Sequence, residues 1–246
     1  MATAPHPVLK KYYESANERQ PFVTALFDST ARHYDWVCRL GSLGSGQFYR
    51  RWVLVKSGLR EGMTLLDVAA GTGLVARAAT HVLRDPAAVV GLEPSSGMLQ
   101  EARKRLTIPL VQGTVEELPF GNDHFDFLSI GYALRHVADL DVAFGECLRV
   151  LKPGGRLLIL EISRPRSALG LRFLRMYFEY VLPVMTRLST GSARAELLMK
   201  YYWDTIAECV SPDTILSVLA STGFVGVRRQ VRGGLLSEYS GIKPAR

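Results

Sequence analysis

The sequence predicts an α/β fold, a doubly wound and mostly parallel seven-stranded sheet that ends in an antiparallel hairpin. Three observations predict it. Short apolar runs alternate with helical stretches from Met63 onward, a glycine turn at Gly71-Thr72-Gly73 sits where one run becomes a helix, and two late strand-like runs flank Arg232-Gly233-Gly234. Alternation of strand and helix requires parallel strands joined by crossovers, with both sheet faces covered. The late glycine pair instead joins neighbouring strands directly.

Taken in order, residues 1–60 read as an N-terminal helical cover. Phe22, Leu26 and Phe27 have helical spacing, Trp52, Val53 and Val55 less cleanly so, and a Gly/Ser loop from Gly41 to Gly46 separates the two stretches. Thr64–Ala69, Ala88–Leu92, Leu110–Val111, Phe125–Ile130 and Arg156–Ile162 read as buried strands, with helices near Leu74–Leu83, Ser96–Leu106 and Leu140–Leu151. Residues 165–210 interrupt this alternation as a helical, aromatic-rich insertion. Pro212 stands just inside the start of a last helix, and Phe224–Gln230 with Leu235–Ser240 form the hairpin. The expected organisation is a single domain over 1–246: cover 1–60, core 61–164, insertion 165–210, last helix and hairpin 211–246.

A chain of 246 residues with 48% hydrophobic and 22% charged residues buries a sizeable core without staples. Cys38, Cys147 and Cys209 have neither zinc nor redox spacing, so reduced thiols in the cytoplasm and no metal are expected. The N-terminal stretch lacks the apolar core of a signal peptide. The most apolar stretch, Leu169–Val184, carries Arg172, Arg175, Glu179 and Pro183; it suits a surface helix better than a spanning one. The net charge of +7 fits an anionic membrane, an acidic substrate or simply a soluble surface. Without a Lys/Arg block interleaved with aromatics, nucleic acid is not an expected partner.

The chemistry centres on Asp67-Val68-Ala69-Ala70-Gly71-Thr72-Gly73. A glycine turn between a buried strand and a helix brings backbone N–H groups close to a ligand. Glu93 ends the next strand, about 20 residues on, where a carboxylate accepts from both ribose hydroxyls. Gly71-Thr72-Gly73-Leu74-Val75-Ala76 also satisfies the dinucleotide pattern, so an NAD enzyme is an alternative at this point, as is a tight turn with no ligand.

Two further segments, Gly113-Thr114-Val115-Glu116-Glu117-Leu118-Pro119-Phe120 and Leu148-Arg149-Val150-Leu151-Lys152-Pro153-Gly154-Gly155-Arg156-Leu157, complete a set that resembles class I methyltransferases. Within these, the chain is most similar to the ubiquinone and menaquinone C-methyltransferases, the UbiE family. Phe27-Asp28-Ser29-Thr30-Ala31-Arg32-His33-Tyr34-Asp35, Gly131-Tyr132-Ala133-Leu134-Arg135-His136-Val137 and Leu160-Glu161-Ile162-Ser163-Arg164-Pro165 carry that similarity, from about Phe27 to Ile215. The sequence departs from the family at Leu74, usually Asp, at Thr114, often Asp or Asn, and at His136, usually Asn. Tyr201-Tyr202-Trp203-Asp204-Thr205-Ile206 follows Tyr-Leu-x-Glu-Ser-Ile loosely.

The resemblance implies a Rossmann-like fold and S-adenosylmethionine as cofactor. It implies a cofactor site of Tyr34, Asp67, Ala69, Gly71, Thr72, Gly73, Glu93, Pro94, Met98, Thr114, Val115 and Gly131, with Glu93 on the ribose and Thr114–Val115 beside adenine. The implied reaction is methylation of a quinol or related aromatic ring, with a retargeted phenolic or isoprenoid acceptor, a non-methylating reaction and a non-catalytic scaffold as alternatives. Tyr132, Phe173, Tyr177 and Tyr201 are the expected acceptor residues. Arg135 and His136 follow the fourth strand and are the catalytic candidates. His136 has a pKa suited to proton transfer, and Arg135 steadies a phenolate or orients water. The plainer alternatives pair Arg135 with Asp139 and make His136 a helix cap. A lipid acceptor allows a peripheral membrane position, and a homodimer is allowed.

Overall fold

The computed structural model describes residues 3–41, 45–165 and 167–245. Seven strands form one sheet: β1 (Leu65–Val68), β2 (Val89–Glu93), β3 (Leu110–Gln112), β4 (Phe125–Gly131), β5 (Leu151–Ile162), β6 (Val225–Arg232) and β7 (Leu236–Ile242). Their order across the sheet is β3-β2-β1-β4-β5-β7-β6. β1 to β5 pair in parallel, while β7 runs antiparallel to both β5 and β6. The expected doubly wound class, with its terminal hairpin, is the one observed. β1 and β4 are adjacent although two strands separate them in sequence, so the crossover direction reverses between them, and a crevice opens at the carboxyl ends of the strands there.

Helices α1 (Ala16–Gly41), α2 (Gly46–Lys56), α3 (Leu74–Leu83), α4 (Ser96–Arg103), α5 (Leu140–Val150), α6 (Ala168–Met176), α7 (Leu182–Thr190), α8 (Ala193–Glu208) and α9 (Pro212–Thr222) surround this sheet. Residues Tyr177–Val181 form a π-helical turn that joins α6 to α7. Local chemistry sets the starts: Ser95, Asp139, Ser167, Ser192 and Ser211 each accept a backbone N–H at a helix N-cap. One core cluster packs α5 and α9 against one sheet face through residues such as Phe144, Cys147 and Leu219. A second packs α2 and α3 against the other through Val53, Leu54 and Ala79. A third joins α1 to α6, α7 and α8 through Leu26, Phe178, Leu198 and Tyr201.

Differences from the sequence reading have local causes. β5 begins at Leu151, not Arg156. Leu151 pairs with Phe125 and Arg156 with Phe127, so Lys152-Pro153-Gly154-Gly155 bulges from a strand already begun. In α2 the core face is Val53 and Leu54, while Trp52 and Val55 are exposed. The helix after β2 stops at Arg103, three residues before Leu106. Part of the Gly41–Gly46 loop, residues 42–44, lies outside the described residues. Among the described residues no disulfide joins Cys38, Cys147 and Cys209. Among the described residues no helix is long and apolar enough to cross a membrane, and none group as metal ligands.

Candidate active site

The glycine turn is shaped from beneath. Asp67, buried in β1, accepts from the Ala76 backbone N–H (2.9 Å) and from the Ser129 hydroxyl (2.7 Å), which fixes the first turn of α3 to β1 and β4. Burial nonetheless pushes the Asp67 carboxyl up to about 7, against those two bonds. Gly71 and Gly73 adopt φ of +59° and +83°, the left-handed region that disfavours side chains. Thr72 donates its hydroxyl to Asp35 of α1, and Arg105 pairs with the same carboxylate.

Glu93 is 6% exposed. Its Oε2 accepts from Gly71 N–H (2.8 Å) and its Oε1 from Ser95 N–H (3.0 Å). Burial pushes this carboxyl up to about 7 as well, and Asp67 and Asp28 add to the rise while the two N–H bonds oppose it. Each oxygen keeps a lone pair for a further donor. A second clamp lies on α1. Asp28 Oδ1 accepts from Ser95 Oγ (2.6 Å) and Gly97 N–H (2.8 Å), and a Cβ on Gly97 would lie 2.9 Å from the Asp28 Cα and carbonyl oxygen. Only glycine lets α1 come this close to the start of α4.

Above these elements opens a cleft of about 700 Å³, its mouth included. Ala69, Gly71, Glu93, Pro94, Met98, Thr114, Val115, Gly131 and Tyr34 all line it, as do Tyr132 and His136. Asp67, Thr72 and Gly73 do not; they shape the turn. A larger, mainly apolar cavity of about 1880 Å³, its wide mouth included, adjoins it, lined among others by Phe173, Leu174, Tyr177, Phe178 and Arg135. Tyr34, Tyr132 and Tyr202 border both spaces. Tyr202 donates its hydroxyl to that of Tyr34 (3.0 Å). Tyr132 is held at φ +64°, and the Arg50 guanidinium lies over its ring at 5.3 Å. A non-glycine residue in that conformation is strained, and Ala69, at φ +52° in the same cleft, shares it.

Tyr201, an expected acceptor residue, borders neither space. It packs edge-on against Tyr12 and Phe22 and stacks on His136. On helix α8 adjacent residues point about 100° apart, so its neighbour Tyr202 is the one that meets the cleft. No local pattern in the chain marks that phase.

Arg135 is 1% exposed and does not pair with Asp139, which caps α5 instead. Its Nε donates to Glu161 Oε2 (2.8 Å), its Nη1 to Thr205 Oγ1 (2.9 Å) and the Tyr202 carbonyl (3.3 Å), and its Nη2 to the Tyr132 carbonyl (3.4 Å). One guanidinium therefore ties together the backbones carrying two of the three boundary tyrosines. A buried pair of this kind recovers its desolvation cost only with such additional bonds. Glu161 Oε1 has no hydrogen-bond partner.

His136 is not a helix cap. It is buried, with its ring stacked at 5.5 Å on Tyr201 and 5.8 Å on Tyr202, and Phe27 edge-on at 5.4 Å. Neither ring nitrogen has a hydrogen-bond partner. Burial holds its pKa well below the usual imidazole value, and Arg135, His6 and Arg19 lower it further. The imidazole is neutral at pH 7, with one nitrogen donating and one accepting.

These features fit S-adenosylmethionine. Glu93 and Gly71 place a carboxylate and a bare backbone on the wall of the cleft, with Met98, Thr114 and Val115 lining it beside them.

Comparison with known proteins agrees with this geometry. The model of the ubiE/COQ5 methyltransferase family matches residues 13–243. The chain is 34% identical over 242 residues to the ubiquinone/menaquinone biosynthesis C-methyltransferase UbiE of Pseudomonas paraeruginosa, covering 94% of this chain and 93% of that one. It is 33% identical over 236 residues to the protein of the same name from Shewanella baltica, covering 93% of each. Among solved structures, a SAM-dependent methyltransferase from Aquifex aeolicus superposes with a TM-score of 0.59 at 16% identity, over 85% of this chain and 97% of that one. Phosphoethanolamine N-methyltransferase 2 of Haemonchus contortus, in complex with S-adenosyl-L-methionine, does so with a TM-score of 0.63 at 16% identity, over 95% of this chain and 61% of that one. At such identities the structures establish the fold alone.

Proposed function

The chain belongs to the ubiE/COQ5 methyltransferase family and is an S-adenosylmethionine-dependent methyltransferase; from that premise we propose that it C-methylates a quinol ring bearing an apolar tail, as in ubiquinone or menaquinone biosynthesis. The NAD reading of the glycine turn falls away with the family. The single observation carrying the proposal is that the cofactor cleft and a large apolar cavity share the wall Tyr34, Tyr132 and Tyr202. A ring lodged at that wall reaches the methyl group while its tail occupies the cavity past Phe173 and Tyr177.

Bound S-adenosylmethionine supplies an electrophilic methyl on a sulfonium, so the protein's task is alignment and exclusion of water. The quinol hydroxyl donates to the accepting nitrogen of His136. As its proton moves to that nitrogen, electron density rises on the ring carbon that would take the methyl, the cofactor leaving as S-adenosylhomocysteine; the displaced ring proton would return to the oxygen through water, restoring aromaticity, and His136 would release its proton to solvent. Burial and Arg135 both oppose an imidazolium, so His136 orients the hydroxyl and holds the proton only briefly. Arg135 holds Tyr132 and Tyr202 in place through their carbonyls, a positioning role.

A retargeted aromatic acceptor is the second reading. It is supported by the placement of His136 and Tyr202, both departures from the family pattern, side by side at the junction. A lipid acceptor also entails contact with an anionic membrane surface by a protein otherwise in the cytoplasm; a homodimer is compatible with it, and nucleic acid has no part. The test is transfer of labelled methyl to reduced benzoquinols and naphthoquinols with tails of increasing length. Turnover that rises with tail length supports the reading. Turnover of tail-free phenols alone supports retargeting, and labelling of no quinol overturns the proposal.

A further inference from the structure

The rod made of α6, the π-helical turn and α7 is apolar on two faces. One face turns Leu174, Phe178 and Leu182 inward, where they are buried and line the apolar cavity. The other carries Leu169, Phe173, Met176, Tyr180, Val184 and Leu188, all exposed, from 50% at Met176 to 82% at Leu188. Their spacing, four, three, four, four and four residues, is that of a single helical stripe, about 30 Å long at 1.5 Å per residue. A soluble helix in this position would present polar residues there. Phe173 belongs to both features, so the stripe passes the mouth of the cavity. Helix α2, which supplies Tyr49 and Arg50 to the cavity wall, exposes Phe48 at 79%.

Charge decides what covers the stripe. The rod, Ala168–Thr190, holds Arg172, Arg175 and Arg187, no lysine and one acidic residue, Glu179, which pairs with Arg175. A second copy docked through this face about a two-fold axis would bring two sets of arginines together. A phosphate-rich bilayer surface suits the arginines, and its acyl boundary suits the stripe, the pattern of a helix lying in the membrane plane.

We propose that the α6–α7 rod is the membrane-inserting element, lying in the interface of an anionic bilayer so that the cavity it roofs opens toward the lipid and receives the acceptor sideways, without passage through water. This rests on the lipid-quinol reading for the identity of the acceptor, but not for the docking itself.

The test is flotation of the full chain with phosphatidylcholine vesicles, with and without about 30% phosphatidylglycerol, an anionic surface of the kind that attracts basic segments, at low and high salt. The comparison is a Val184→Glu/Leu188→Glu variant, both positions being exposed and outside the cavity lining. We expect flotation with anionic vesicles that weakens in high salt and falls at least tenfold in the variant. Affinity for S-adenosylhomocysteine and turnover of a short-tailed soluble quinol stay unchanged, which shows the variant to be folded. No flotation at low salt, or equal flotation of both proteins, overturns the proposal. So does a dimer in the ultracentrifuge that the variant converts to monomer without vesicle binding. Turnover of soluble quinol without flotation rejects the membrane face and leaves methyl transfer standing; flotation without turnover of any quinol does the reverse.

Discussion

Replacing Glu93 by Gln tests the cofactor site most directly, because the structure assigns both carboxylate oxygens. Each accepts one backbone N–H, from Gly71 and from Ser95. An amide offers one oxygen only, so its NH2 confronts one of these buried donors, and the donor left unsatisfied costs about 1–3 kcal/mol of folding stability. Affinity suffers separately. In the expected ribose contact the carboxylate would accept from both hydroxyls and the amide from one, a loss of about 1.5–3 kcal/mol for a hydrogen bond to a charged group, or roughly tenfold to a hundredfold. Protonation adds a signature. Burial puts the free Glu93 carboxyl at about 7, and ribose hydroxyls bind the ionised form, so binding expels a proton below that pH. The affinity of the wild-type protein therefore falls as pH drops from 8 to 6, approaching tenfold per pH unit at the acid end. Asp67, also at about 7, bonds only to the protein and adds little. Calorimetry of S-adenosylhomocysteine at pH 8 and pH 6, in buffers of different ionisation enthalpy, reads both effects. The Gln variant should bind ten- to a hundredfold more weakly at pH 8 and lose the pH dependence. Affinity within threefold of wild type at pH 8, or an identical pH slope in both proteins, would refute the assignment.

Glu161→Gln removes the charge that neutralises buried Arg135, and urea unfolding should show a loss of about 3–5 kcal/mol; a loss below 1 kcal/mol would mean the guanidinium rests on its carbonyl bonds alone. Gly97→Ala places a Cβ against the Asp28 backbone, so α1 must shift. Weaker S-adenosylhomocysteine binding, with destabilisation of about 1–3 kcal/mol, is expected, and an unchanged affinity would show that the Asp28 clamp is not needed. His6 is buried, and burial lowers its pKa to about 4. Between pH 6.5 and 4 the unfolded chain binds a proton there that the folded chain refuses, so this residue's contribution to stability is lost as pH falls through that window. Asp67 and Glu93, raised when folded, act in the opposite sense between about 4 and 7. The change in stability between pH 7 and 5 should therefore shift by about 2 kcal/mol in favour of the acid condition in His6→Gln relative to wild type, and an unchanged pH slope would refute it.

The parts of the fold written in local pattern were legible in the sequence. Strand-to-helix alternation places β1 to β5, the glycine turn marks the carboxyl end of β1, and the pair Gly233-Gly234 marks the hairpin, because each depends on residues close together in the chain. What joins distant segments was not. Asp28 meets Gly97 across 69 residues of chain, and Arg135 meets Glu161, not the nearby Asp139. No periodicity encodes which carboxylate a folded chain brings to a buried arginine. Tyr202 was hidden for a different reason. The insertion helix is aromatic on several sides, so a single residue of phase decides whether Tyr201 or Tyr202 reaches the junction, and packing against α1 and α7 fixes that phase. Glu93 ends β2 as expected, and its bonds to Gly71 and Ser95 make it a part of the turn's architecture.

The strand order also bears on how the chain is made. β7 lies between β5 and β6, so the last strand to leave the ribosome must insert beside one formed about 75 residues earlier. Until it does, the nascent protein displays the long apolar β5 as an unpaired edge, open to any other extended chain. The cofactor-binding half is therefore assembled well before its sheet is sealed, and this interval is where a chaperone, or early capture of cofactor by the half-built domain, has most to protect.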